Sequence, residues 1–148
     1  MTLGELIETL SKEDPELVLP RGFARPHSYR GYYEQLAFEP DEHVAVGDML
    51  KSAREALGAV YDGYKGGHYT MTEDTQCWLA EYGCTGEELS APTLRAMLDA
   101  PQMARLTAEN ERLRAAIVWV TRDAQHKAPE QIELGLVGVW MERLEAAL

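Results

Sequence analysis

Arg21-Gly22-Phe23-Ala24-Arg25-Pro26-His27-Ser28-Tyr29-Arg30-Gly31 packs three arginines, a histidine, a serine and a tyrosine into one loop-like run. No Asp or Glu occurs between Leu17 and Tyr33. Guanidinium forks and hydroxyls suit phosphate or carboxylate groups. The run reads equally as a solvated loop whose arginines pair with nearby carboxylates. Its neighbours set the fold. Glu16-Leu17-Val18-Leu19 reads as a short strand ended by Pro20. Tyr32 to Glu39, rich in aromatic and apolar residues, reads as a strand closed by Pro40-Asp41.

The remainder of the first hundred residues alternates helix and strand. Thr2-Leu3-Gly4-Glu5 is a capping box, in which hydroxyl and carboxylate each satisfy a free amide at a helix start. Leu3, Leu6, Ile7 and Leu10 follow at helical spacing, so residues 3–12 form an amphipathic helix that Asp14-Pro15 stops. Gly47-Asp48 opens a second helix with Asp48 as cap and Met49, Leu50, Ala53, Leu57 and Val60 on its buried face; Gly58 is its stop. Val60 to Met71 reads as two strand pieces around Gly66-Gly67, which can take positive φ. Thr75 to Tyr82 reads as a strand, Gly83 to Glu88 as loop, and Ser90 to Leu98 as a short helix with Leu94, Met97 and Leu98 inward. The expectation is an α+β fold: a small mixed or antiparallel sheet with helices on one face.

From Pro101 the texture changes, which places a domain boundary near Asp99 to Gln102. Residues 1–100 then form an α+β ligand-binding domain and 101–148 a helical hairpin that serves oligomerisation. Met103, Leu106, Asn110, Leu113, Ile117 and Val120 alternate by four and three. They form a heptad seam in which Asn110 is the polar a residue that favours a parallel dimer. An ordinary helix packed on the domain is the other reading. Ala128-Pro129 breaks this helix, and Ile132, Leu136, Val139, Trp140, Leu144 and Leu148 mark one face of a second.

The chain has 148 residues and a formal net charge of -11, with a sequence pI near 4.8. That field repels nucleic acid polymers and membrane surfaces, so neither is expected as a partner. The charge is uneven: residues 1–100 hold 8 Lys/Arg against 18 Asp/Glu, and residues 101–148 hold 6 against 7. No signal peptide is read at the start, and no apolar run has the length of a membrane span. Cys77 and Cys84 have no ligand-like histidine pattern beside them and read as reduced thiols.

Within residues 1–100, a second window without acids runs from Gly63 to Thr72 and contains Lys65 and His68. A phosphorylated nucleotide needs cationic donors, backbone amides near glycine, and aromatic faces. Arg25, His27, Ser28, Tyr29, Arg30, Tyr64, Lys65, Gly66, Gly67 and His68 are the candidate ligand-binding residues, drawn from the two windows. A sheet could bring them together. His68-Tyr69-Thr70-Met71 matches half of the motif of two-histidine phosphoesterases, whose mechanism needs a second histidine motif. His27-Ser28-Tyr29 and His43-Val44-Ala45-Val46 fail to supply it. No GxSxG, P-loop, HExxH or EF-hand pattern occurs, so no catalytic residue, metal site or cofactor is assigned.

Pro26-His27-Ser28-Tyr29-Arg30-Gly31-Tyr32-Tyr33, Leu36-Ala37-Phe38-Glu39-Pro40, Tyr64-Lys65-Gly66-Gly67 and Trp78-Leu79-Ala80-Glu81-Tyr82-Gly83 together resemble a group of small proteins encoded by bacteriophages of actinobacteria. The resemblance covers residues 3–100. It implies a phage origin and a place in the host bacterial cytoplasm. By analogy with a functional class, it suggests an anti-defence protein that sequesters a nucleotide immune signal, such as a cyclic oligonucleotide or a cyclic ADP-ribose derivative. A phosphodiesterase that cleaves such a signal, and an acidic inhibitor that occupies a basic host protein, are the alternatives. Replacing Asn110 by Leu is expected to change the oligomeric state in light scattering; an unchanged monomer rules the seam out.

Overall fold

The computed structural model describes residues 1–63 and 66–126. The fold is α+β: among the described residues it has a mixed four-stranded sheet, a separate two-stranded hairpin, and three helices. Contacts divide the chain into two units, Met1–Pro101 and Gln102–Leu148.

Helix α1 (Leu3–Leu10) starts on the expected capping box. The Glu5 amide donates to Thr2 Oγ1 at 3.3 Å and the Thr2 amide to Glu5 Oε2 at 2.9 Å. Leu3, Leu6 and Leu10 are fully buried at the spacing of one helix face. Strand β1 (Val18–Ser28) pairs antiparallel with β2 (Leu36–Ala45), and β2 leads directly into α2 (Val46–Ala56). Strands β3 (Val60–Asp62) and β4 (His68–Thr70) form the hairpin. Strand β5 (Cys77–Leu79) pairs parallel with β2 and antiparallel with β6 (Glu87–Glu88), giving the order β1-β2-β5-β6. Helix α3 runs from Ala91 to His126.

Several boundaries differ from those the sequence suggests. The basic run is mostly strand, not loop, and the loop itself is confined to residues 29–35. Pro20 does not end β1: the register steps from Leu19↔Val44 to Arg21↔Glu42, skipping Pro20 and His43. Proline has no amide to give there, and His43 takes a left-handed φ of 55°, so the irregularity absorbs the missing bond. Pro40 likewise lies inside β2. Asp48 is not the cap of α2. Ala45 holds that position with no side-chain bond, because the Val46 and Gly47 amides donate to the Leu17 and Pro15 carbonyls at 2.9 Å each. Tertiary backbone acceptors replace the capping side chain, and Asp48 sits in the first turn, where a negative charge suits the helix dipole. Leu57 and Val60 are exposed, whereas Val46 and Ala56 join Met49 and Ala53 in the core. Gly58 does end the helix, with φ of 78°.

The short helix expected over Ser90 to Leu98 continues through Pro101 as one long helix. Pro101 lacks the amide that would reach the Met97 carbonyl. Good helix formers on its far side, Gln102, Met103, Ala104, Arg105 and Leu106, carry the ladder on. The second arm of the expected hairpin, from Ala128 onward, lies outside the described residues.

The core of the first unit lies between one face of the sheet and helices α1 and α2. Leu36, Phe38, Cys77 and Leu79 point into it from β2 and β5, and the Phe23 ring packs tilted against Phe38 with centroids 4.7 Å apart. Burying an apolar side chain of this size stabilises by about 1.5–3 kcal/mol. The opposite face carries a smaller cluster of Tyr29, Ala37, Trp78 and Ala80.

A bulge creates that second cluster. The register shifts between Ala24 and Pro26, and Arg25 between them has φ of 45°. Before the bulge, Leu19 and Phe23 face the core. The extra residue reverses the alternation, so Pro26 sits opposite Phe38 while His27 sits opposite Ala37 on the other face. His27 and Tyr29 thus leave the core that a regular strand would have given them.

Neither described cysteine forms a disulfide: Cys77 is buried and Cys84 is exposed. Burial pushes the Cys77 thiol up to about 12. The folded state favours the protonated thiol, an advantage kept below the unfolded thiol's value and lost as pH climbs toward about 12. Near pH 8, a thiol reagent is expected to modify Cys84 promptly in the native protein and Cys77 only on unfolding. Equal rates for both would contradict the packing of β5.

Candidate functional site

The two acid-free windows meet through aromatic packing around one glycine. Tyr33, in the turn after β1, and Tyr69, on β4, lie with ring centroids 6.3 Å apart. Gly63 fits between them: a Cβ there would come 2.9 Å from Tyr69 Cε2 and 3.0 Å from Tyr33 Cγ. The β3–β4 hairpin therefore rests against the basic turn. Between them opens a cleft of about 250 Å3, lined by Ser28, Arg30, Tyr33, Asp62, Tyr82 and Gly83.

The turn itself is held by a short network. The Tyr29 amide donates to the Gln35 carbonyl at 2.8 Å, and Ser28 Oγ donates to the Tyr33 carbonyl at 2.9 Å. The Tyr29 ring stacks on Trp78 at 4.3 Å and 7°. Trp78 Nε1 in turn donates to Gln35 Oε1 at 2.6 Å. Arg30 Nη1 donates to the Gly83 carbonyl, tying the turn to the segment after β5.

Of the eight described residues expected to bind ligand, two line this cleft, Ser28 and Arg30. Arg25 does not. Its guanidinium bonds Glu39 at 2.5 Å and Asp41 at 3.0 Å, and these bonds, the Glu39 one first, raise its already high pKa. This is the arginine for which the pairing reading of the basic run holds. Tyr29 is buried against Trp78 and serves packing.

His27 is also buried, with Nε2 3.1 Å from the Ala80 carbonyl and Nδ1 3.0 Å from the Ser28 carbonyl. The reason lies in the β2–β5 ladder. Leu36 donates to Gln76, and Ala80 donates to Phe38. Continuing the alternation, the next bond would run from residue 40 to the Ala80 carbonyl, but Pro40 has no amide. His27 Nε2 reaches that orphaned acceptor instead. A neutral imidazole carries one N–H and donates to one of the two carbonyls; an imidazolium donates to both.

Gly66 and Gly67 take φ of 77° and 125° and make the hairpin turn, with the Gly63 amide donating to the Gly67 carbonyl at 3.0 Å. His68 is exposed and bonds Asp62 through Nδ1 at 2.6 Å. Tyr64 and Lys65 lie outside the described residues. In the second unit, Leu106 and Ile117 are exposed and Leu113 and Val120 half-buried, while Asn110 donates to the Leu106 carbonyl at 3.1 Å.

Arg30 is the lining residue with recognition chemistry to spare. One guanidinium donor goes to Gly83, and no ion pair joins Arg30 to a carboxylate among the described residues. Tyr33 and Tyr82 add phenol groups and ring faces, and Asp62 Oδ1 lies in hydrogen-bond contact with His68 Nδ1. A second histidine for acid–base work is not assembled from His27, whose nitrogens both face carbonyls. Tyr33, Asp62, Tyr82 and Gly83 were not legible as site residues. Asp62 bounds the acid-free window and so falls outside it, and nothing in the sequence links Tyr82 to Arg30. Gly63 is the missed residue on which the meeting of the windows depends.

No protein-family model matches this chain, and no curated protein or solved structure matches it. No helix among the described residues is long and apolar enough to cross a membrane.

Gly63→Ala is expected to destabilise the fold by about 1–3 kcal/mol in denaturant unfolding, the usual cost of overpacking. It should also shift the ring signals of Tyr33 and Tyr69 in NMR spectra. Unchanged stability and unchanged ring signals would show that the hairpin does not dock through this glycine.

Proposed function

We propose that the chain binds a small phosphorylated nucleotide in the cleft between the basic turn and the hairpin, and releases it unaltered. The observation that carries this reading is Arg30: a guanidinium with spare donors, beside Ser28, Tyr33 and Tyr82, inside a molecule of strongly negative charge. Such a site attracts a compact anion, while the surrounding acidic surface rejects long nucleic acids. Each charge-assisted hydrogen bond to phosphate contributes about 1.5–3 kcal/mol when desolvated.

Size narrows the ligand. Drug-sized ligands occupy pockets of roughly 300–1,000 Å3. A cleft of about 250 Å3 suits a mononucleotide-sized molecule. A cyclic oligonucleotide would need clefts from two copies. The apolar residues Met103, Leu106 and Ile117, exposed along α3, offer a seam for such a pair. Together with the resemblance to actinobacteriophage proteins, this supports a homo-oligomer that removes a nucleotide immune signal from the cytoplasm of an infected bacterium. Cleavage is the weaker reading, because the two-histidine arrangement it needs is not assembled among the described residues.

Calorimetry with AMP, cyclic AMP, ADP-ribose, cyclic ADP-ribose isomers and cyclic dinucleotides tests the proposal. At least one is expected to bind, to weaken at least about tenfold in Arg30→Ala, and to keep its affinity in Arg25→Ala. The bound ligand should be recovered intact after denaturation. No binding by any probe, or equal affinity in Arg30→Ala, would overturn the proposal; a cleaved product would replace sequestration with catalysis.

A further inference from the structure

A second concavity lies on the other side of the Glu81–Gly83 segment. Tyr82 and Gly83 line the cleft described above, whereas Glu81 lines a wider groove of about 940 Å3. This groove is bounded by the β1–β2 hairpin, the ends of β5 and β6, and the first turns of α3, all within the first unit. Its apolar surface comes from Pro20, Pro40, Leu79, Ala96, Met97 and Ala100. Its carboxylates are Asp41, Glu42, Glu81 and Glu87, and its one described cation is Arg21.

These carboxylates differ in what they already hold. Asp41 is engaged, with Oδ2 on Arg25 and Oδ1 accepting from the Glu42 amide. Glu42, Glu81 and Glu87 are exposed and make no ion pair among the described residues. Three unmatched negative charges therefore surround an apolar floor, against one arginine.

The groove also contains an open strand edge. Strand β5 pairs with β2 only from Leu36 to Phe38, so β2 from Pro40 onward has no neighbour on that side among the described residues. Pro40 offers no amide there, and the Glu42 amide is occupied by Asp41 Oδ1 at 2.9 Å. An incoming strand would find almost no donors to pair with. Recognition in this groove must rest on side chains, with an apolar floor and anionic flanks.

We infer that this groove is a docking site for a cationic segment of another protein, one that presents aliphatic side chains to Leu79, Ala96 and Met97 and Lys or Arg to Glu42, Glu81 and Glu87. The complementarity of charge selects this occupant. A second copy of this chain would bring more negative charge, and an anionic peptide or nucleic acid would be repelled. The site is separate from the nucleotide cleft and does not depend on it.

The test uses the full-length protein and fluorescence anisotropy with a labelled peptide alternating leucine and lysine. A leucine–glutamate peptide and an oligolysine serve as comparisons. The leucine–lysine peptide is expected to bind, the leucine–glutamate peptide not, and oligolysine at least about tenfold more weakly for want of apolar contact. The triple variant Glu42→Lys, Glu81→Lys, Glu87→Lys is expected to weaken binding at least about a hundredfold. A charge-matched control, Glu16→Lys, Glu55→Lys, Glu111→Lys, is expected to cost only a few-fold, because its sites lie outside the groove. Amide shifts on titration should concentrate at residues 41–42, 79–81 and 93–100. Equal losses in the two variants would mean a response to net charge alone and would overturn the inference, as would amide shifts centred elsewhere. Should the groove variant fail to fold, Met97→Glu with the same shift mapping decides the matter: unchanged peptide affinity would sink the proposal.

Discussion

The insertion of a single residue at Arg25 governs this architecture. A strand alternates its side chains strictly, so one extra residue exchanges the two faces for everything that follows. Leu19 and Phe23 contribute to the main core, yet His27 and Tyr29 emerge on the opposite side of the sheet. There Tyr29 finds Trp78, His27 lies over Ala37 and reaches the Ala80 carbonyl, and the turn that follows is carried to the hairpin. Without the bulge, an imidazole and a phenol would compete with leucine and phenylalanine for the interior, where an unpaired polar group costs dearly. The bulge residue is itself useful: its guanidinium, thrown outward, binds Glu39 and Asp41 across the ladder and holds the distortion in place.

Charge in this protein is arranged by neutralisation as much as by sequence. The basic run resembles one continuous patch when written out, but its members have different fates. Arg25 is matched by two carboxylates, Arg21 looks into the acidic groove, and Arg30 reaches the cleft. The segment from Glu81 to Gly83 divides two concavities of opposite character. Adjacent residues on one short stretch of backbone thus line the Arg30 cleft with Tyr82 and present the Glu81 carboxylate to the groove.

Much of the fold was legible. Thr2 and Glu5 announce α1 because capping is local chemistry, and Gly66-Gly67 marks the hairpin because positive φ is a local demand. What the sequence concealed is non-local. Pro20 and Pro40 look like strand ends, since the rule against proline assumes a ladder partner that wants the amide. One falls at an irregular pair and the other where β5 has already stopped. Asp48 looks like a cap, but the Leu17 and Pro15 carbonyls reach the amides first. Pro101 looks like a helix end; the two units do divide there, yet the helix runs on through it. For the site, residue type suggested ten candidates, yet type cannot reveal that Arg25 would be paired, His27 buried or Tyr29 stacked. Among the described residues only Ser28 and Arg30 kept their place, joined by residues such as Tyr82 whose position depends on the whole sheet.

Two prolines in the sheet share a further property. Pro26 lies opposite Phe38 at the outer margin of β1, and Pro40 lies where β2 outruns β5. Each withholds an amide from a margin that faces solvent, and each is flanked by charged side chains, Arg25 in one case and Asp41 with Glu42 in the other. Exposed sheet margins are the usual starting points of amyloid growth. A chain so guarded offers an incoming strand few amides to add to, which lowers its tendency to seed fibrils as its concentration rises.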